Sequence, residues 1–526
     1  MNLAAKEIIA PLPADDGLPE GWAQTRLGEA FQLNPPKPSA AQLSADSPVS
    51  FVPMPAVDAK AGVIAIPMQR PFGEVRSGFT SFANGDVIMA KITPCMENGK
   101  AAIARDLVNG LGFGSTEFHV LRSNGTALPE YGYYFIRQAA FRSLAESEMT
   151  GSVGQKRVPA DFLRQAMFPL PSLAEQHRIV AKLEQLLAAA STTRARLARV
   201  PILLKRFRQS VLAAACSGRL TADWREQNPD MEPAAKFLER ILIERRAKWE
   251  AEGRKGKYQE PVAPETSELP ELPEEWTWAS LDQFCLISSG DAFKKSDYAE
   301  HGIRLLQIAN VGFGKTTWEQ RNYLPGKFSS SHKNLMLSEE DIVLALNRPI
   351  LGDRLKVAFL TGDDLPAILY QRVGRIKVMK AVSQSYVFYF ALSKSMFDQV
   401  TERLQGTDQP YLNTSLVPGI TLPMPPINEQ REIVRRVERL LHLADAIEKR
   451  TAAASHRADR LTQAILAKAF RGELVPTEAE LARTEGRDYE SASVLLKRAQ
   501  EDQKADQGLN PKQPKNSKST KLKEAR

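Results

Sequence analysis

The 526-residue sequence holds three cysteines, Cys95, Cys216 and Cys285, too far apart for a metal-ligand spacing or a disulfide framework, which fits a reducing cytoplasm. Its six histidines add no spaced metal set, and no Ser-His-Asp arrangement stands out. No apolar run reaches membrane-spanning length, and MNLAAKEIIAPLP at the amino terminus lacks the apolar core of a signal peptide. These absences lead us to expect a cytoplasmic chain with no metal, no cofactor and no membrane partner. What remains is globular in composition, with 43% hydrophobic and 25% charged residues, and too long for one core. A net charge of +8 tilts the expected partner toward a polyanion, nucleic acid above all.

The organising feature is a long internal repeat. Leu18-Pro19-Glu20-Gly21-Trp22 recurs as Leu272-Pro273-Glu274-Glu275-Trp276, and Pro171 to Arg219 recurs at Pro425 to Gly472, each copy starting 254 positions on. The first of these helical stretches begins with Ser172 three residues before Glu175, a helix-start signature. Ile179, Leu183, Leu186, Ala190, Thr193, Leu197, Val200, Leu204, Phe207 and Val211 then step in fours and threes, as a coiled-coil seam does. The second copy repeats the step with Ile433, Val437, Leu440, Ala444, Ile447, Thr451, Ala454, Ala458, Leu461 and Ile465, so the seams are expected to pair within one chain. A helix from Leu173 to Ala214 would run about 60 Å, less any kink at Pro201.

The blocks before each helix, 17–168 and 271–422, read as mixed α and β heads. Strands are expected at Asp86–Ile92, Glu117–Leu121, Ile303–Ile308, Ile342–Leu346 and Val373–Val378, and helices at Tyr131–Leu144 and Tyr386–Leu404. The expected order is a lead-in 1–16, head 17–168, helical region 169–250, linker 251–270, head 271–422, helical region 423–500 and a basic, disordered tail 501–526. The helices match well between copies, whereas the heads share little beyond their edges and one strand. The fold class is therefore α+β: two globular heads separated by two long helices packed as an antiparallel intramolecular coiled coil, with a pseudo-twofold repeat.

On LPEGW and LPEEW, on Pro171–Leu187 and Pro425–Leu441, and on the helix ends AAACSGRL and AKAFRGEL, the chain resembles the specificity subunit of type I restriction-modification systems. Residues 85–119 also resemble a recurrent type of first recognition domain in that family. The resemblance implies two target-recognition domains, each reading one half of a bipartite, asymmetric duplex. It implies no catalysis in this chain, and recruitment of two adenine-methylating subunits and of restriction subunits that translocate and cleave DNA.

Arg, Lys, Asn and Gln in polar loops suit contacts to phosphates and base edges. The loop after Pro94 offers Asn98 and Lys100, and GSVGQKRV offers Gln155, Lys156 and Arg157. In the second copy Arg348 and Arg354 follow Asn347, while Gln409 and Tyr411 stand in GTDQPYL, which aligns with GSVGQKRV. The basic run Leu203–Gln209 either tracks phosphates or is a solvated helix face. An alternative reading makes Ala309–Thr316, ANVGFGKT, the phosphate loop of a nucleotide-dependent DNA enzyme, but such a loop needs a helix after it and the periodicity there is poor. Asn34-Pro35-Pro36-Lys37 and Asp408-Gln409-Pro410-Tyr411 approach the methyltransferase loop, yet Lys37 and Gln409 break it and no glycine-rich turn precedes a helix. A coiled-coil adaptor whose heads bind proteins is the third reading, disfavoured by the basic charge.

Overall fold

A computed structural model of the protein describes residues 17–37, 43–65, 68–252 and 256–508. The lead-in 1–16 and tail residues 509–526 lie outside the described residues, while 501–508 continue the helix Ala492–Gly508. The chain forms two compact units, 1–197 with 453–526, and 198–452. The helical region 169–250 is thus divided between them, and the 44-residue helix Ile427–Phe470 serves both.

In the first unit, strand Ala23–Arg26 after Trp22 pairs antiparallel with Met167–Leu170, closing the head beside the start of helix Leu173–Leu197. One sheet runs Phe31–Leu33, Phe118–Ser123, Val87–Ala90, Ala101–Ile103. A second runs Met68–Pro71, Pro48–Val52, Leu111–Gly114, Thr80–Ala83. Val87, Ile88, Met89 and Ala90 are all buried, as a central strand covered on both faces requires. The core is aromatic: Tyr131, Phe135 and Phe168 meet Phe470 or one another at centroid distances of 4.8 to 5.6 Å. Phe470 comes from the second copy's helix, so the first head is completed by the far end of the repeat.

The second unit repeats this plan despite the dissimilar sequence. Thr277–Ser280 pairs with Thr421–Met424. Its main sheet runs Cys285–Ser289, Val373–Val378, Ile342–Ala345, Val357–Phe359, the same order as in the first head, with Phe313–Gly314 added at the edge. Its second sheet keeps the matching parallel pair, Ile303–Leu306 with Ala367–Leu369. Helix Ala234–Ala251, from the first copy, packs on this head, with Ala234 N–H donating to Glu275 O at 2.9 Å. Helix Ala492–Gly508 does the same in the first unit, Ala492 N–H donating to Gly21 O at 3.0 Å. Linker residues are tied down as well, Val262 N–H to Asp282 and Trp278 Nε1–H to the Pro270 carbonyl.

Within each unit the helices run antiparallel. In the first, Arg178 reaches Glu478 at 2.5 Å and Arg194 reaches Asp459 at 2.8 Å. In the second, Arg208 reaches Asp445 and Glu448, both at 2.7 Å, and Arg436 reaches Asp223 at 2.6 Å. The same joint holds helix to head in both. Trp22 Nε1–H donates to Glu175 and Trp276 Nε1–H to Glu429, each at 2.8 Å. Gln176 accepts from Leu128 N–H, and Gln430 from Ser383 N–H. Ser172 accepts from Glu175 N–H as the start signature suggests, but the Glu175 carboxylate turns to Trp22 and to Glu478 N–H.

The structure corrects three expectations. The first copy's helix is not continuous to Ala214: it stops at Leu197 and a new helix, Val200–Cys216, begins. Pro201 has no N–H for the Leu197 carbonyl and its ring would clash there. The helices expected at Tyr131–Leu144 and Tyr386–Leu404 are each two. Pro129–Ile136 is followed by Ala139–Ser147, and Gln384–Ala391 by Lys394–Glu402. Extended backbone at Gln138 and Ser393 separates them, and Ser393 Oγ caps the second by accepting from Met396 N–H.

The seam is also only partly closed. Ile179, Leu183, Leu204, Val211, Ile433, Val437 and Ile465 are buried, and Leu186, Leu197 and Leu440 half-buried. Phe207 and Ile447 remain 37% exposed and Leu461 54% exposed. A straight helix drifts about 20° per heptad against a strict seven-residue repeat, and the break at Ala198-Arg199 resets the phase.

Candidate nucleic-acid interface

In the first head the two loops singled out from sequence lie against each other. Ile92 bridges Arg157, and Thr93 N–H donates to Lys156 O at 3.0 Å. Thr150 also bridges Arg157, making 151–156 the tip of a hairpin turned by glycines at φ +119° and +80°. Asn98, Gln155 and Lys156 are exposed. Lys100 and Arg157 are committed elsewhere: Lys100 donates to the Met54 carbonyl at 3.0 Å, and Arg157 makes a two-pronged pair with Glu117, both bonds 2.9 Å. That guanidinium holds the Glu117 carboxyl below its usual pKa. His119 Nε2–H donates to Val158 O at 2.9 Å and Nδ1 accepts from Asn34 at 3.2 Å. Burial lowers the His119 pKa, keeping the ring neutral for both bonds.

The second head assembles the same arrangement from different residues. Asn347 bridges Tyr411, Arg348 N–H donates to Pro410 O at 2.8 Å, and Gln405 pairs with Tyr411 across a short hairpin. Arg348, Gln409 and Tyr411 are exposed around its tip. Arg354, also exposed, lies 4.1 Å over the Phe313 ring. In each head the candidates thus converge on one pair of loops beside the central strand. The bracing residues Glu117 and His119 were not legible as such, because their partners lie 40 and 39 residues away. Val153, 95% exposed at the first hairpin's tip, is an apolar residue in a polar loop and carries no readout signal by type.

Ala309–Thr316 is not a phosphate loop. Val311 bridges Thr316, Phe313–Gly314 forms the edge strand, and Thr316 Oγ1–H donates to Asp364 at 2.5 Å. No helix follows until Phe328–Ser331. Asn34 is equally occupied, accepting from Val120 N–H at 3.0 Å. The described residues contain no cluster of His, Cys, Asp or Glu able to hold a metal, and no helix long and apolar enough to cross a membrane.

The family model for the type I restriction modification DNA specificity domain matches twice, at residues 19–201 and 273–454. The chain belongs to this family. It is 32% identical to the type I restriction enzyme EcoAI specificity subunit of Escherichia coli, over 85% of this chain and 83% of that one. In fold it matches a chain from a study of complex assembly and conformational transition of the type I R-M system, with TM-score 0.62, 21% identity, and coverage of 87% of this chain and 99% of that one. It also matches the HsdS subunit of Thermoanaerobacter tengcongensis, with TM-score 0.54, 22% identity, and coverage of 87% and 98%. As a specificity subunit it recognises a DNA target and carries no catalysis of its own.

Proposed function

We propose that the two heads read the two halves of a bipartite, asymmetric duplex, and that the helices recruit adenine-methylating and restriction subunits. The observation that carries this reading is the repeated loop pair: one strand frame presents Asn98, Gln155 and Lys156 in one head and Arg348, Arg354, Gln409 and Tyr411 in the other. Equal frames with unequal side chains give unequal half-sites. Exposed Arg and Gln pair with guanine and adenine edges, whereas Lys neutralises phosphate. The exposed helix residues Phe207, Ile447 and Leu461 supply apolar area for partner helices.

The test is binding of the full chain, alone and with its methylase partners, to one bipartite duplex and to random duplex across a salt series. One duplex is expected to win by about a thousandfold or more, as specific readers do. Equal binding to every sequence at every salt concentration overturns the proposal. Mapping methylated adenines in host DNA after Gln409→Ala and after Gln155→Ala should show one half-site relaxed by each substitution and the other unchanged.

A further inference from the structure

One cleft in the first unit gathers more positive charge than its carboxylates offset. It encloses about 620 Å3 between the head helices Pro129–Ile136 and Ala139–Ser147, helix Leu173–Leu197 and the last turns of Ile427–Phe470. Four cations line it, Lys60, Arg137, Arg142 and Arg194, against two carboxylates, Glu184 and Asp459. Arg194 is satisfied by Asp459 at 2.8 Å and Thr462 at 3.2 Å.

Arg137 and Arg142 are not satisfied in this way. Arg137 Nη2–H donates to the Ala59 and Lys60 carbonyls at 3.0 Å each, and its guanidinium stands 5.3 Å from the Tyr133 ring centre. Among the described residues, Arg142 Nη1–H reaches only the Glu97 carbonyl, at 3.3 Å. Neither forms an ion pair with a carboxylate among the described residues, and Arg137 Nη1 and Arg142 Nε are buried with no hydrogen-bond partner. Burial first, then the neighbouring Arg137, pulls the Arg142 pKa below its ordinary value. Two half-buried guanidiniums side by side without a counter-charge destabilise the fold unless an anion offsets them.

The repeat shows that this pair is no part of the shared frame. At the corresponding helix positions, 255 residues on, the second head has Leu392 and Phe397, both packed against its hydrophobic core. Surfaces that serve both copies alike would keep the arginines in both. Whatever this pair binds would therefore be taken up once per chain.

We propose that this cleft binds a phosphate group, one per chain, between the Arg137 and Arg142 guanidiniums. The planar fork of arginine suits two-pronged contacts to a tetrahedral oxyanion, and Lys60 at the rim adds a third positive charge. The phosphate comes either from the DNA backbone or from a free phosphoanion, and the test separates the two.

The full chain is titrated calorimetrically with inorganic pyrophosphate at constant ionic strength, with sodium chloride as the control. One saturable site per chain is expected, weakened roughly tenfold or more in Arg142→Gln and Arg137→Gln through loss of charge-assisted hydrogen bonds. Glu184→Gln removes an exposed carboxylate from the cleft and should tighten binding roughly threefold by relieving like-charge repulsion. Arg208→Gln, in the second unit, should leave it unchanged. No saturable binding by the unsubstituted chain, or binding indifferent to Arg137, Arg142 and Glu184 alike, overturns the proposal. If circular dichroism shows an arginine variant misfolded, the sign of the Glu184→Gln effect decides. With binding established, displacement of pyrophosphate by the target duplex assigns the site to a backbone phosphate, and simultaneous binding assigns it to a free phosphoanion.

Discussion

The two heads follow one plan of strands while differing at almost every side chain that fills or brackets it. Both order their main sheet alike and both close on the helix through a Trp–Glu hydrogen bond. Yet the first head seals its core with Phe470, where the second has Cys216 at the equivalent helix position. The first pins its hairpin with Arg157–Glu117 and His119, while the second relies on the backbone bond from Arg348 to Pro410. Pairing registers and helix joints set where the loops stand, and side-chain pins then stabilise each loop separately. Loops built this way can change their exposed side chains without disturbing the frame.

The comparison breaks most visibly at the helix ends. Phe470→Ala should destabilise the first unit by about 3–5 kcal/mol, as loss of a fully buried aromatic does, and Cys216→Ala the second by about 1 kcal/mol. Hydrogen exchange measured separately on peptides of the two units checks this, and equal losses would contradict the difference in packing.

Next comes the helix interior. Ser455, the counterpart of Pro201, lies inside the unbroken helix Ile427–Phe470, so Ser455→Pro should cost about 3 kcal/mol, whereas Pro201→Ser should cost under about 1 kcal/mol. Denaturant midpoints of the two variants measure the asymmetry.

A third pair should behave alike. Gly218 and Gly472 sit at φ +73° and +72°, and a Cβ on either would approach a proline Cγ at 2.5 Å (Pro273) or 2.3 Å (Pro19). Alanine at either is expected to cost about 2 kcal/mol through left-handed strain and overpacking. Thermal melts that separated the two would show that the joints are not equivalent.

The smallest effect is one of pH. The folded pKa of His119 lies below its ordinary 6.5, so the unfolded chain binds more protons in the window between the two. Its contribution is present above pH 6.5 and lost as pH falls through the folded pKa. The second head has Gly374 at the equivalent place and no such loss. Exchange protection of the 150–158 hairpin should therefore fall with acidification in the unsubstituted chain and lose that pH dependence in His119→Gln.

Much of this was legible in the residues. Trp22 and Trp276, Glu175 and Glu429, Gln176 and Gln430 recur at one fixed offset, and each proves to be a buried member of the joint. The candidate loops could be paired from their glycines and their place late in each head. Beyond that one shared strand the similarity of the heads was not legible, because a strand needs only buried apolar residues in register, and Phe118–Ser123 and Val373–Val378 take the same place in their sheets with different side chains.

By itself the sequence determined the repeat, the helix starts and the class of partner, and it marked Pro201 as a place for a kink, where the structure has a full break. Only the tertiary structure decided which half completes which core. Helices that run antiparallel return the end of one copy to the head of the other, so Phe470 fills the first head and Ala234–Ala251 packs on the second. It also decided which candidate cations are free and which are taken. Arg157 and Lys100 look the same as Lys156 in the sequence, and distant partners, Glu117 and the Met54 carbonyl, occupy them. Long-range contacts of that kind leave no mark in local spacing, because their geometry exists only once the sheets have formed.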